Sequence, residues 1–433
     1  MVPIARRTPV QPAPAHTRGV TSAPIPGTDR KAALLGSLYL AQGLPFGFFS
    51  LALPVLLREA GQSLTAISLL GLLVLPWGFK FLWAPVLDRR GSRRAWLLAL
   101  QSLSVLGALA LVPLDPGASF PVLFAAAFLF NFLAASQDVI TDGLAVRLLD
   151  IRERGIGNGL QVGAYRLGMI LGGGALLWVF ARAGWSVMCL GMAAVLALTM
   201  LPVLAMPVMA PSGAVPPLPM RGWATAWFAR ARQPVLLLLA GLIFCYRFGD
   251  QMISGLIGPF LVDRGLDLEA IALLKGAVGS ATSLLGAAIG GVFVFRVGRR
   301  AALLLSGLGQ AACFCLYIAA ALGIGGTALL WVATIAEGVV GTMATVALFT
   351  LMMDGSDPDH AGTDYTLLAS VVVLVGNLGG IAGGVLADVA GYVATFATGT
   401  ALAVAGCLFV VRWLDRRAPV PRLAEAWAAV PGR

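Results

Sequence analysis

The chain has 433 residues, 59% of them hydrophobic and only 12% charged, with a formal net charge of +10 and a mean hydropathy of +0.89. A soluble domain is about 45–50% apolar and about 25% charged, so an ordinary soluble enzyme, a disordered tail and a fibrous repeat are excluded. A polytopic, all-α membrane protein remains: a helix crosses the hydrocarbon core in about 20 apolar residues, and the length suits twelve such spans with their connections.

Residues 1–31 are Pro-rich and basic, with Arg6, Arg7, Arg18, Arg30 and Lys31. No small-residue cleavage site follows a short apolar run, so a disordered cytoplasmic leader is expected. Apolar runs follow near 32–57, 65–84, 95–114, 120–146, 157–181 and 184–209. A second set lies near 234–262, 269–295, 301–322, 327–353, 364–388 and 391–413. Between the sets stands "APSGAVPPLPMRGWATAWFARARQP", Pro-rich and basic through Arg221, Arg230 and Arg232. The expected organisation is a six-helix bundle over 32–209, a cytoplasmic linker over 210–233, a second bundle over 234–414 and a polar tail over 415–433.

Cys189, Cys245, Cys313, Cys315 and Cys407 all lie in apolar stretches, and an odd count there argues for packed thiols. Two histidines, His16 and His360, are too few and too far apart for a metal site. The cations sit between apolar runs, which fits the positive-inside rule and not nucleic-acid binding. Counted on alternate sides, twenty-three Lys and Arg fall on the side of the termini, against Arg58, Arg182 and Arg264 opposite. Both termini are therefore expected in the cytoplasm. One connection on the cationic side dissents, because Asp354, Asp357, Asp359 and Asp364 make it acidic.

The halves repeat one another. "LLREAGQSLTAISLL" (56–70) matches "FLVDRGLDLEAIALL" (260–274), and "RLGMILGG" (166–173) matches "NLGGIAGG" (377–384). Duplicated bundles with a solute held between them are a transporter architecture. "WAPVLDRRGSRR" after the second span and "GGVFVFRVGRR" at the end of the eighth resemble the Gly/Asp/Arg-rich loop of the major facilitator superfamily. The second copy has Phe295 where the acid belongs, so only the first is expected to latch through a carboxylate. The latch candidates are Lys80, Asp88, Arg89, Arg93, Arg94, Arg296, Arg299 and Arg300. "LAQGLPFG" (40–47), "KFLWAPVLD" (80–88), "SQDVITDGLAV" (136–146) and "YRLG" (165–168) are similar to the branch holding AmpG-like muropeptide permeases, acetyl-coenzyme A transporters and ferric-siderophore importers. The resemblance covers most of 34–410 and is stronger before the linker. The stretch "LALPVLLREAG" (51–61) is more similar to the siderophore importers, and the chain lacks room for the two extra helices of many muropeptide permeases. The resemblance thus implies a siderophore-type solute first and a muropeptide second, moved inward across a bacterial inner membrane.

An ionised side chain at the bilayer centre costs roughly 2.5–3.5 kcal/mol on insertion scales, so buried charges mark use or pairing. Asp138 and Asp142 are four apart and share one helix face. Two close carboxylates disfavour double ionisation, which suits proton pickup, with Asp138 the deeper and better candidate of the two; a structural pairing with Lys80 or the Arg89/Arg90 cluster competes. Arg166 offers a planar cation for an anionic group, or else a buried ion pair. Arg247 and Asp250, three apart, either bind solute or neutralise each other. Glu337 has no partner of opposite sign in its own helix and is a third proton-coupling candidate. Tyr165, Gln42 and Phe46 are candidate solute contacts. Gly376, Gly380 and Gly384 recur every fourth residue and are expected to form a close-packing stripe.

No phosphate loop or hydrolase motif occurs, so no cofactor and no enzyme chemistry are expected, and a proton gradient is the remaining energy source. The expected protein is a monomeric proton-linked symporter in the lipid bilayer. An efflux carrier and a non-transporting membrane sensor are the competing readings.

Overall fold

A computed structural model describes residues 28–59, 69–114, 120–205, 223–267, 270–271, 273–418 and 420–429. Residues 1–27 and 206–222, which hold most of the expected leader and linker, lie outside the described residues, as does the Arg89 side chain. Every regular element among the described residues is helical. We label the apolar segments in chain order: α1 Thr28–Ala52, α2 Leu70–Leu82, α3 Arg93–Leu111 and α4 Phe120–Leu148. The stretch Arg154–Leu204 breaks at Gly184 into α5 (154–183) and α6 (185–204). Then come α7 Pro234–Asp263, and Leu273–Ala321, which breaks at Gly298 into α8 (273–297) and α9 (299–321). Last are α10 Gly326–Gly355 and the stretch Ala361–Arg416, broken at Gly391 into α11 (361–390) and α12 (392–416). Twelve segments are consistent with the expected number of spans. The three breaks have φ of 79°, 82° and 79° with ψ near 180°, a region that is essentially glycine's alone.

Sequence explains the irregular spans. Pro45 removes a donor inside α1, and the helix widens into a π turn at Phe48–Ala52. In α2, Pro76 and Gly78 leave a short α turn, Leu75–Phe79, between 3₁₀ turns Leu69–Val74 and Lys80–Leu82. Outward faces are greasy: Leu198, Ile381 and Val389 are 62%, 66% and 83% exposed, as a bilayer solvent requires.

Close packing rests on glycine. A Cβ on Gly168 or Gly172 of α5 would stand 2.4 Å from Leu40 O or 1.9 Å from Leu44 O of α1. In the second half, a Cβ on Gly383 of α11 would stand 2.2 Å from Met252 O of α7. The expected stripe holds at Gly376, where a Cβ would stand 3.2 Å from Gln251 Oε1 of α7, and is corrected beyond it. Gly380 and Gly384 have nothing within 4 Å of an added Cβ, whereas Gly379 and Gly383 face α7. The helix is rotated by one residue from the face that the every-fourth pattern suggests.

Loops joining α2–α3, α4–α5, α8–α9 and α10–α11 share one end with the start of α1 and the end of α12; we call it the basic end. There the expected tail is helical over part of its described length. Helix Pro421–Ala428 buries Leu423, Ala426 and Trp427, and Trp427 donates to Asp415 Oδ1 at 3.0 Å.

Candidate functional site

A cavity of about 370 Å³ lies between the halves. It is lined by Tyr39 and Phe46 of α1, Trp77 and Lys80 of α2, and Asp138 and Asp142 of α4. Gln161, Tyr165, Arg166 and Met169 come from α5, Thr345 and Phe349 from α10, and Tyr365, Ala369, Val372 and Val373 from α11. A larger groove of about 600 Å³ beside α5 and α8 has only apolar and glycine lining, from Gly36 to Val292, and offers no chemistry.

One wall is aromatic. Phe46, Trp77 and Tyr165 meet pairwise at ring-centroid distances of 5.8–5.9 Å, within the range of tilted and edge-on ring contacts. Trp77 is oriented by donating to Asn131 Oδ1 at 3.0 Å, and the Lys80 ammonium lies 5.7 Å from its ring. Arg166 is exposed in the cavity and makes no hydrogen bond or ion pair among the described residues.

The other wall is ionic. Lys80 pairs with Asp138. Asp142 Oδ1 accepts from Tyr39 Oη at 2.9 Å and from Gln161 Nε2 at 3.2 Å. Tyr365 Oη in turn donates to Gln161 Oε1 at 3.4 Å. Lys80 thus stands in the cavity, paired with one of the two carboxylates expected as its partners. Its single proline-broken turn lifts it there.

Six predicted residues meet in this cavity: Phe46, Lys80, Asp138, Asp142, Tyr165 and Arg166. Gln42 is buried beside them and donates to Thr141 Oγ1 at 3.1 Å. Arg247, Asp250 and Glu337 are not among the lining residues. Arg247 binds Asp250 at 2.6 Å, Gln251 donates to the other Asp250 oxygen at 2.5 Å, and Gln310 interacts with Asp250 and Glu337. Sequence reasoning passed over Tyr39, Trp77, Gln161 and Tyr365. Trp77 had a signal, since it stands three residues before Lys80 and so on its face.

The basic end is locked by ion pairs and hydrogen bonds, several of them across the halves. Asp88 Oδ1 accepts from Arg147 at 3.1 Å, and its Oδ2 accepts from the backbone and hydroxyl of Thr363 at 3.1 and 3.2 Å. Arg147 also donates to Pro358 O at 2.6 Å. Asp354, fully buried, holds Arg154 of the first half at 2.7 Å and Arg299 of the second at 3.0 Å. Arg299 reaches on to Ile151 O. Arg230, in helix Trp223–Ala231, grips Asp364 at 2.6 and 2.8 Å and Asp357 at 3.1 Å. Burial raises the Asp357 pKa, but the Asp359 N–H and Arg230 outweigh it and hold that carboxyl below its ordinary value. The acidic α10–α11 connection is thus the counter-charge of this network. Asp354 supplies the carboxylate that Phe295 leaves out of the second motif copy. Of the other predicted latch cations, Arg300 pairs with Asp415 at 2.8 Å and Arg94 donates to Leu204 O at 2.7 Å, both within one half. Arg93 opens α3, and Arg296 is exposed.

The family model described as Major Facilitator Superfamily matches residues 35–380. The chain is 30% identical over 354 residues to the anhydromuropeptide permease of Escherichia coli K12, covering 79% of this chain and 71% of that protein. It is 30% identical over 402 residues to an uncharacterized protein of Haemophilus influenzae, covering 88% and 94%. In fold it is similar to the crystal structure of the Escherichia coli fucose:proton symporter, with a TM-score of 0.68, 16% identity and coverage of 88% and 98%.

Proposed function

The chain belongs to the Major Facilitator Superfamily, and on that footing we propose that it imports an anhydromuropeptide-type solute together with protons across a bacterial inner membrane. That it is a multi-pass membrane transporter and not an enzyme follows from the family and its relatives. The solute class goes further. The observation that carries it is the pairing of a three-ring wall with an unpartnered Arg166. Rings stack on the apolar face of a sugar, and a guanidinium grips a peptide carboxylate; a muropeptide joins both groups in one molecule. The muropeptide relative supports the same order of solutes, so the siderophore-type reading yields first place.

Protons enter through charge balance. Lys80 neutralises Asp138, and a solute carboxylate held by Arg166 neutralises that cation, which leaves Asp142 as one uncompensated carboxylate in the loaded cavity. One added proton removes that charge, and so favours the state in which the cavity must be dehydrated and turned. Both termini lie in the cytoplasm in this reading, which makes the locked basic end the inner gate.

Uptake into proteoliposomes tests it. Labelled anhydromuropeptide is expected to accumulate with an inward pH gradient, and a ferric siderophore is not. Arg166→Gln is expected to weaken apparent affinity roughly 10–100-fold, the loss of a charge-assisted bond of about 1.5–3 kcal/mol. Accumulation of the siderophore alone would reverse the solute; equal uptake without the gradient would remove the proton.

A further inference from the structure

We infer that Gln161 and Tyr365 carry the charge state of Asp142 across the boundary between the two halves, as positioning residues of the transport cycle. The inference rests on the proton-linked reading above. Asp142 belongs to α4, Gln161 to α5 and Tyr365 to α11, so the Tyr365–Gln161 bond joins the second half to the first at the depth of the cavity. All three residues are buried. The other hydrogen bonds described between the halves cluster at the basic end, around Asp88, Arg147, Arg154 and Arg299.

The direction of the bonds gives the chain its meaning. An ionised Asp142 accepts only, so it fixes Gln161 with the amide nitrogen toward itself and the amide oxygen toward Tyr365. Bonds to a carboxylate are about twice as strong as neutral ones. A proton added to Asp142 from solvent turns the carboxylate into a neutral acid; no other bond is made or broken. The bonds from Tyr39 and Gln161 then lose their charge assistance, and Gln161 no longer presents a fixed oxygen to Tyr365. At 3.4 Å that link is the longest of the chain, so it is the member a modest change releases. The charged and titratable groups facing Asp142 are Asp138 on its own helix, Lys80 from α2, Tyr39 from α1, Tyr365 from α11 and, farther along the cavity, Tyr165 and Arg166 from α5. Deprotonated, the site ties the halves together; protonated, it frees them.

The test needs no solute. Spin labels at Leu201→Cys and Leu305→Cys, on exposed faces of opposite halves, report opening of the basic end in a chain whose native cysteines are replaced. Lowering the pH is expected to raise the open population of the otherwise native chain. Tyr365→Phe is expected to raise it about fivefold at high pH, the equivalent of one hydrogen bond of about 1 kcal/mol, and to leave the low-pH population unchanged. Gln161→Leu is expected to do the same. Asp142→Asn should abolish the pH response, and adding Tyr365→Phe to it should change nothing further. An equal effect of Tyr365→Phe at both pH extremes, or additivity with Asp142→Asn, overturns the relay while leaving proton-linked transport standing. Absence of any pH response in the parent chain removes both. Failure of anhydromuropeptide uptake with the relay intact removes only the solute.

Discussion

At the scale of single residues, Asp354 decides most. Its two oxygens take one arginine from each half with no exposed side-chain surface. Breaking a buried pair by removing one partner costs about 3–5 kcal/mol, because the stranded charge stays buried. Asp354→Asn strands Arg154 and Arg299 together. We expect a clear fall in the melting temperature in detergent, partly restored when Arg299→Gln is added; an unchanged melt would show the node to be neutral. The sequence displayed both kinds of charge without their relation. Arg154 and Arg299 read as part of the cationic excess, and Asp354 as an exception to it. The partners lie 200 and 55 residues apart, and a charge count by loop carries no pairing. The carboxylate pair in the cavity was easier to find, since Asp138 and Asp142 stand on one turn of one helix and the bilayer makes any retained ion conspicuous.

Among elements, the spans and the repeat were legible, because twenty-residue apolar runs punctuated by arginine have few alternatives in a membrane. Register was harder. Counting every fourth glycine selected Gly376, which does meet α7 at Gln251, but also Gly380 and Gly384, in whose place α7 packs on Gly379 and Gly383. The repeat itself held the better answer. Aligning "RLGMILGG" with "NLGGIAGG" pairs Gly168 with Gly379 and Gly172 with Gly383, and each pair occupies the same place, α5 on α1 and α11 on α7. A glycine stripe has no side chain to say which way it points; only its partner helix does. The consequence is a contrast between neighbours. Gly383→Leu must push α11 off Met252 O, and overpacking of this kind costs typically 1–3 kcal/mol. Gly384→Leu meets open space. Folded yield and thermal stability should drop for the first and hold for the second.

For the whole molecule, the question is what holds one end shut while leaving a cavity in the middle. Tight glycine contacts between the halves lie toward the basic end. A Cβ on Gly143 would stand 2.8 Å from Gly362 Cα, and one on Gly159 would stand 2.7 Å from Ala287 O. Such contacts close a seam but do not fasten it. Asp88 fastens it: lying in the first half, it caps the first turn of α11 in the second, where unpaired N–H groups and the helix dipole favour a negative charge. Arg147 then ties the same carboxylate to the α10–α11 connection. Asp88→Asn keeps the size and one acceptor oxygen but loses the charge that both partners answer. The dipole and charge-assisted contributions together are worth about 1–2 kcal/mol, so the population open at the basic end should rise roughly 5–30-fold. A cysteine at Thr345→Cys, on the cavity wall, reads this directly. A membrane-impermeant maleimide added from the basic side should label it faster by that factor in Asp88→Asn than in the parent, while labelling from the opposite side slows. Unchanged rates from both sides would mean that the Arg154–Asp354–Arg299 node holds the gate without Asp88.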